Sequence, residues 1–162
     1  MLKVGILGAG FMGGTHAAAF AGLPDVQIVG ISSRSAEKAA ALAAKYGAEP
    51  FVDALKLATD PRVDVISNTL PTQLHKDLSI AALNAGKHVL VEKPMGLSVA
   101  ECDEMIAAAE KSNRLGNHSK GNLKIPPTLI MNCHCEPKDR QSQGGSGDCF
   151  VVPCFAGLLA MA

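Results

Sequence analysis

The stretch Lys3–Gly14, KVGILGAGFMGG, decides the fold. Val4, Ile6 and Leu7 form an apolar run that reads as a buried strand. The run breaks into glycines and restarts as an alanine-rich segment, predicted to be a helix from Phe11 to about Leu23. Gly8-Ala9-Gly10-Phe11-Met12-Gly13 fits G-x-G-x-x-G, whose glycines serve a tight turn, the approach of a pyrophosphate and the packing of helix on strand. Phosphate is the expected ligand, because N–H groups at a helix start and the dipole behind them attract an anion. Glycine-rich turns occur in many loops, so the pattern draws its weight from its surroundings. Met12 packs either on a cofactor or on the core, and the sequence does not separate the two.

Working outward, Pro24 and Asp25 form a turn, and Val26–Ser32, VQIVGIS, reads as a second strand. In a dinucleotide fold, the residue about 20 positions past the glycines meets the adenosine ribose. An acid there binds the 2′-hydroxyl; its absence beside an arginine leaves room for a 2′-phosphate. The residues here are Ser32-Ser33-Arg34-Ser35, with no carboxylate. Hydroxyls and a guanidinium suit a phosphate dianion, so Ser33 and Arg34 point to NADP rather than NAD. The alternative is a polar turn whose serines cap the next helix.

Ala36 to Tyr46 is predicted helical, with apolar residues at i, i+3, i+4 and i+7 and Gly47 as its stop. Pro50 to Val52 reads as a short strand and Asp53 to Ala58 as a helical turn. Val63 to Ser67 supplies a fourth strand, apolar enough to be buried on both faces of a parallel sheet. The loop after it, Asn68 to His75, lies at a strand's carboxyl end, where open α/β sheets place ligands. Leu78 to Ala85 continues as a helix closed by Gly86. His88 to Val91 is a fifth strand, ending at Glu92-Lys93-Pro94, and Ser98 to Glu101 is a capping box opening a helix to about Lys111. This alternation is that of a doubly wound parallel sheet, a Rossmann fold, with helices on both faces.

The chain has 162 residues, and Lys plus Arg equals Asp plus Glu at 15 each. That length holds one domain with a real core, or one domain plus an appendage, and is too short for two full domains. The balanced charge gives no reason to expect nucleic acid or an anionic membrane as partner. The strand starting by residue 3 leaves no room for a signal peptide, and the apolar stretch from Phe150 to Ala162 is too short to span a bilayer, so a cytoplasmic protein is expected. Composition shifts along the chain: residues 1–112 hold 21 alanines and one cysteine, and residues 113–162 hold three alanines and four cysteines. An odd total of five cysteines argues against a disulfide framework. Cys133-His134-Cys135 with Cys149 and Cys154 lacks the usual first spacing of a zinc site, so no metal is expected. His16 reads as a packing or surface residue, and His88 as structural. For His75, binding on the nicotinamide side and capping of the helix stand level.

Three stations coincide: GAGFMGG after the first strand, SSRS after the second, and GKHVLVEKPMGLSVAECDEMIAAAEKS around the fifth. Together they resemble the cofactor domain of the Gfo/Idh/MocA oxidoreductase family, over Met1 to about Ser112. Glu92-Lys93-Pro94 is the most specific part. The resemblance implies that Lys93 lies beside the nicotinamide and hydrogen-bonds the reacting hydroxyl or carbonyl of a sugar, inositol or related polyol. It also implies cofactor contacts from Leu70, Pro71, Thr72 and His75. Pro71, Leu74 and His75 match a T-P-x-x-L-H pattern, from which Leu70 departs.

The residues support Lys93 as well. An ammonium near a carbinol oxygen stabilises the alkoxide that develops as hydride leaves the adjoining carbon. Members of that family continue into a larger substrate domain and form oligomers, which makes a homo-oligomer an expectation here too. No such domain is recognisable past Ser112. The expectation is a dinucleotide-binding domain over residues 1–118, and over 119–162 an atypical tail, truncated or out of frame in place of the substrate domain. The rival is a dinucleotide-binding module or gene product without catalysis.

Overall fold

The computed structural model of the chain describes residues 1–114 and 129–131. Its elements alternate as β1 (Leu2–Leu7), α1 (Phe11–Ala21), β2 (Val26–Ser32), α2 (Ala36–Ala44), β3 (Glu49–Phe51), α3 (Ala54–Ala58) and β4 (Val65–Asn68). A 3-10 turn at Thr72–Leu74 leads into α4 (His75–Asn84), followed by β5 (His88–Val91), α5 (Val99–Arg114) and β6 (Leu129–Met131). The strands form one parallel sheet in the order β3-β2-β1-β4-β5-β6. This is the doubly wound, Rossmann-type sheet expected from the alternation.

Side chains alternate across the strands, so each strand feeds two cores. Val4, Ile6, Ile28, Ile31, Val65 and Leu90 meet Ala17 and Phe20 of α1 and Ala43 of α2 on one face. Leu7, Ile66, Val89 and Val91 meet Leu57 of α3, Ala82 and Leu83 of α4, and Met105 of α5 on the other. Burying an aliphatic or aromatic side chain of this size contributes about 1.5–3 kcal/mol.

Helix ends follow local chemistry. Ser35 caps α2 by accepting the Lys38 N–H at 3.3 Å, and Asp53 caps α3 by accepting the Leu55 N–H at 2.9 Å. At the start of α5 the Glu101 N–H donates to Ser98 Oγ at 3.3 Å, while Glu101 Oε2 reaches back to the Leu97 N–H at 2.7 Å. The capping box therefore closes one residue further out than its usual form, in which the acid meets the amide of the capping residue itself.

One element differs from the expectation of an irregular tail: β6 pairs with β5, Leu129 to Met131 opposite Val89 to Val91. The apolar triplet follows Pro126-Pro127 and takes an edge of β5 that would otherwise stay unpaired. The rest of the expected tail, with the cysteines at 133, 135, 149 and 154, lies outside the described residues, as do residues 115–118 of the expected domain.

Candidate functional site

Register fixes where the site lies. Phe51, Ser32, Leu7, Asn68 and Val91 are mutual partners across five neighbouring strands, so the carboxyl ends of β3, β2, β1, β4 and β5 are level. The segments singled out in the sequence start just past that row: Gly8, Ser33-Arg34, Leu70-Pro71-Thr72 and Glu92-Lys93-Pro94.

The glycine turn is built as a cradle. Gly8 has φ +109°, a conformation natural only to glycine, and its N–H donates to the Ser32 carbonyl at 2.9 Å. A Cβ on Gly13 would sit 1.9 Å from the Gly8 carbonyl oxygen, so only glycine lets α1 start this close to the turn. At Gly10, by contrast, a Cβ would meet nothing within 4 Å. Gly10 opens α1 with no side-chain cap and no acidic residue in the first turn. The first N–H groups of a helix have no partner inside it, and here no carboxylate competes with a phosphate for them. Thr69, which sequence reasoning passed over, donates its hydroxyl to the Leu7 carbonyl at 2.8 Å and walls the turn from β4. These features fit a dinucleotide: the backbone is shaped for a pyrophosphate, and the space over Gly10 is open.

Phe11 at the helix start is 87% exposed, and Met12 is 37% exposed, so neither is a core residue. At the end of β2, Ser33 Oγ accepts the Ser35 N–H at 3.3 Å and Arg34 is exposed. Ser35 thus follows the capping alternative, while Arg34 is presented to solvent. The Ser32 hydroxyl is buried without a hydrogen-bond partner among the described residues, which leaves polar capacity at this strand end.

The β4 and β5 loops are joined by His75. Its ring is 1% exposed, with Nε2 2.7 Å from the Leu70 carbonyl oxygen and Nδ1 2.9 Å from that of Pro94. The capping alternative for His75 fails: Leu74 is the capping residue of α4 and makes no side-chain cap, and the ring lies between two loop carbonyls. Asn68 supports the same corner, its amide donating to the His75 carbonyl at 3.3 Å and to Ser79 Oγ at 3.1 Å. Pro71 is exposed, and Leu70 and Thr72 are half-buried.

Lys93 and Pro94 are exposed, and the peptide between them is cis. Glu92 is buried at 5% exposure, with Oε1 2.8 Å from His16 Nε2 and Oε2 accepting the Lys93 N–H at 3.1 Å. His16 Nδ1 lies 2.8 Å from Ser67 Oγ. The imidazole is therefore inside the site's foundations rather than on the surface. Its partners are 51 and 76 residues away, so nothing near His16 in the sequence announces them.

A separate group of charges sits at the amino ends of the strands. The Lys3 N–H donates to Asp64 Oδ2 at 2.9 Å, and burial pushes the Lys87 ammonium and the His88 imidazole below their ordinary pKa, with Asp64 opposing both. Nearby, hydrogen bonding from the Arg62 guanidinium holds the Asp60 carboxyl below the usual carboxylate range. This end carries none of the glycine, serine-arginine or lysine signatures.

Comparison with known proteins agrees with the geometry. The family model describing an oxidoreductase family with an NAD-binding Rossmann fold, Gfo/Idh/MocA, matches residues 2–117. The chain is 39% identical over 113 residues to a 4-carboxy-2-hydroxymuconate-6-semialdehyde dehydrogenase of Sphingobium, covering 68% of this chain and 36% of that protein. It is 35% identical over 111 residues to scyllo-inositol 2-dehydrogenase (NADP(+)) of Bacillus subtilis, covering 68% of this chain and 34% of that one. A levoglucosan dehydrogenase structure with NADH and L-sorbose superposes with a TM-score of 0.66 at 32% identity, over 70% of this chain and 32% of that chain. The chain thus spans about a third of the length of the relatives it matches. No helix among the described residues is long and apolar enough to cross a membrane. With a level row of strand ends, a glycine cradle and a lysine beyond β5 all in the matched region, the chain belongs to the Gfo/Idh/MocA oxidoreductase family.

Proposed function

We propose that the chain binds a nicotinamide dinucleotide and serves an oxidoreductase acting on a CH–OH group of a sugar, inositol or related polyol. Gly8, Gly10, Phe11, Met12 and Gly13 form the pyrophosphate turn, Ser33 and Arg34 receive the adenosine end, and Leu70, Pro71, Thr72, His75, Glu92, Lys93 and Pro94 border the nicotinamide end. The observation that carries the reading is the level row of strand ends, with the glycine cradle just past β1 and an exposed lysine just past β5, two strands away. The bound nicotinamide supplies the hydride acceptor or donor. Lys93 holds its ammonium at the reacting oxygen and stabilises the negative charge that grows there. The names of the relatives, an inositol dehydrogenase and a levoglucosan dehydrogenase among them, support a polyol or sugar substrate.

The cofactor preference we propose is NADP, because Arg34 is exposed just past the end of β2 and the stretch Ser32–Ser35 contains no carboxylate. Arg34→Ala should weaken NADP binding about tenfold or more, the scale of a lost hydrogen bond to a charged group, and leave NAD within about twofold. Calorimetry with both dinucleotides decides this, and equal affinities in the wild type would refute it. Turnover with a panel of sugars and inositols, lost in Lys93→Ala, supports the enzymatic reading. Stoichiometric dinucleotide binding with no turnover on any of them favours a binding module instead.

A further inference from the structure

We propose that His16 is a positioning residue for Lys93, acting through the carboxylate of Glu92; the inference rests on the dinucleotide-binding reading above. The imidazole lies in the second turn of α1, 3% exposed. Its Nε2 is 2.8 Å from Glu92 Oε1, and the other oxygen of that carboxylate accepts the backbone N–H of Lys93 at 3.1 Å. A connected path therefore runs from the helix behind the glycine cradle, through ring and carboxylate, to the backbone that carries the lysine. Ser67 Oγ, 2.8 Å from Nδ1, braces the ring from β4. The assignment holds in either protonation state of the ring. A neutral imidazole takes a hydrogen bond from Ser67 and donates from Nε2, and an imidazolium donates from both nitrogens.

Packing alone does not call for these groups. A buried imidazole and carboxylate must both be stripped of water, and an apolar pair of similar volume is often equally or more stable. The polar set supplies direction instead. A carboxylate bonded on both oxygens holds one orientation, and with it the amide of the next residue. Each element in the network also carries part of the site: α1 follows the glycine cradle, β4 leads into Thr69 and Leu70, and β5 leads into Lys93. The ring thus ties the phosphate-binding helix to the strand end that bears the proposed catalytic lysine.

The test uses the full chain and two readouts. Without ligand, hydrogen exchange at the Lys93 amide should accelerate about tenfold in His16→Leu, as local opening becomes easier. It should return toward the wild-type rate in His16→Gln, whose side-chain amide donates to the same carboxylate. In the second readout, His16→Leu should weaken NADPH binding about fivefold to tenfold, but less than about twofold in a Lys93→Ala background, the non-additivity of residues acting as a unit. Ser67→Ala removes only the brace on Nδ1; it should give the same pattern more weakly, and it replaces His16→Leu if that variant does not fold. Unchanged Lys93 exchange, or an equal loss of NADPH affinity in both backgrounds, overturns the proposal. If the wild-type chain binds no NADPH, the dinucleotide reading falls instead, and the exchange rates still decide whether His16 orders Lys93.

Discussion

Gly13 and Gly10 separate folding from binding at the level of single atoms. A methyl group at position 13 would lie 1.9 Å from the Gly8 carbonyl oxygen, whereas one at position 10 meets no atom of the described residues within 4 Å. Gly13→Ala should therefore cost roughly 1–3 kcal/mol of stability by overpacking, with loss of dinucleotide binding, as urea unfolding and calorimetry will show. Gly10→Ala should stay within about 1 kcal/mol of wild type, since φ is −87° there and only the preference for glycine over alanine at a helix start is lost. Its methyl would nevertheless occupy the ligand's approach, so affinity should fall while stability holds. If both variants lost stability equally, the space over Gly10 would not be open. Both glycines were legible in the sequence because their spacing is local. His16 and Thr69 were not, since each acquires its role from a residue on another strand.

Among the elements, α3 shows how little sequence is needed when a cap and one core residue agree. It is five residues long, too short to persist alone, yet Asp53 caps its first turn and Leu57 is fully buried between the sheet and α4. Asp53→Ala should cost about 1 kcal/mol and Leu57→Ala about 2–5 kcal/mol in urea unfolding. A larger loss from the cap than from the leucine would contradict this order. The strands and helices through α5 could be anticipated because period-2 and period-3.6 patterns run through them, and Gly47 and Gly86 mark their stops at positive φ. Their ends moved by one to three residues: β3 starts at Glu49 rather than Pro50, β4 continues to Asn68 rather than stopping at Ser67, α4 starts at His75 rather than Leu78, and α5 runs to Arg114 rather than Lys111. The strand β6 was not visible, because three residues carry too little pattern and its reason for forming is the edge of β5, far back in the chain.

At the scale of the whole molecule, the two ends of the sheet do different work. The amino ends hold ionisable groups that bear on stability. His88 is buried, its Nε2 has no hydrogen-bond partner among the described residues, and burial lowers its pKa from the ordinary 6.5. As pH falls through 6.5 the unfolded chain binds a proton that the folded chain refuses, so stability is full above that value and declines below it. Replacing His88 by glutamine should flatten urea midpoints measured between about pH 7.5 and about pH 5. Asp60 does not confound the measurement, because its depressed pKa places its loss of stability below 3.8. The carboxyl ends hold the loops, and there His75 has a mechanical consequence. Its ring touches Leu70 on one side and Pro94 on the other, 5 and 19 residues away, so it rivets the β4 and β5 loops together. A wedge driven against either loop is transmitted to the other, and the rims of the proposed nicotinamide end open or close together. In His75→Ala, exchange at Leu70 and at Met95 should therefore quicken in step; a change at one loop alone would show that they are sprung separately.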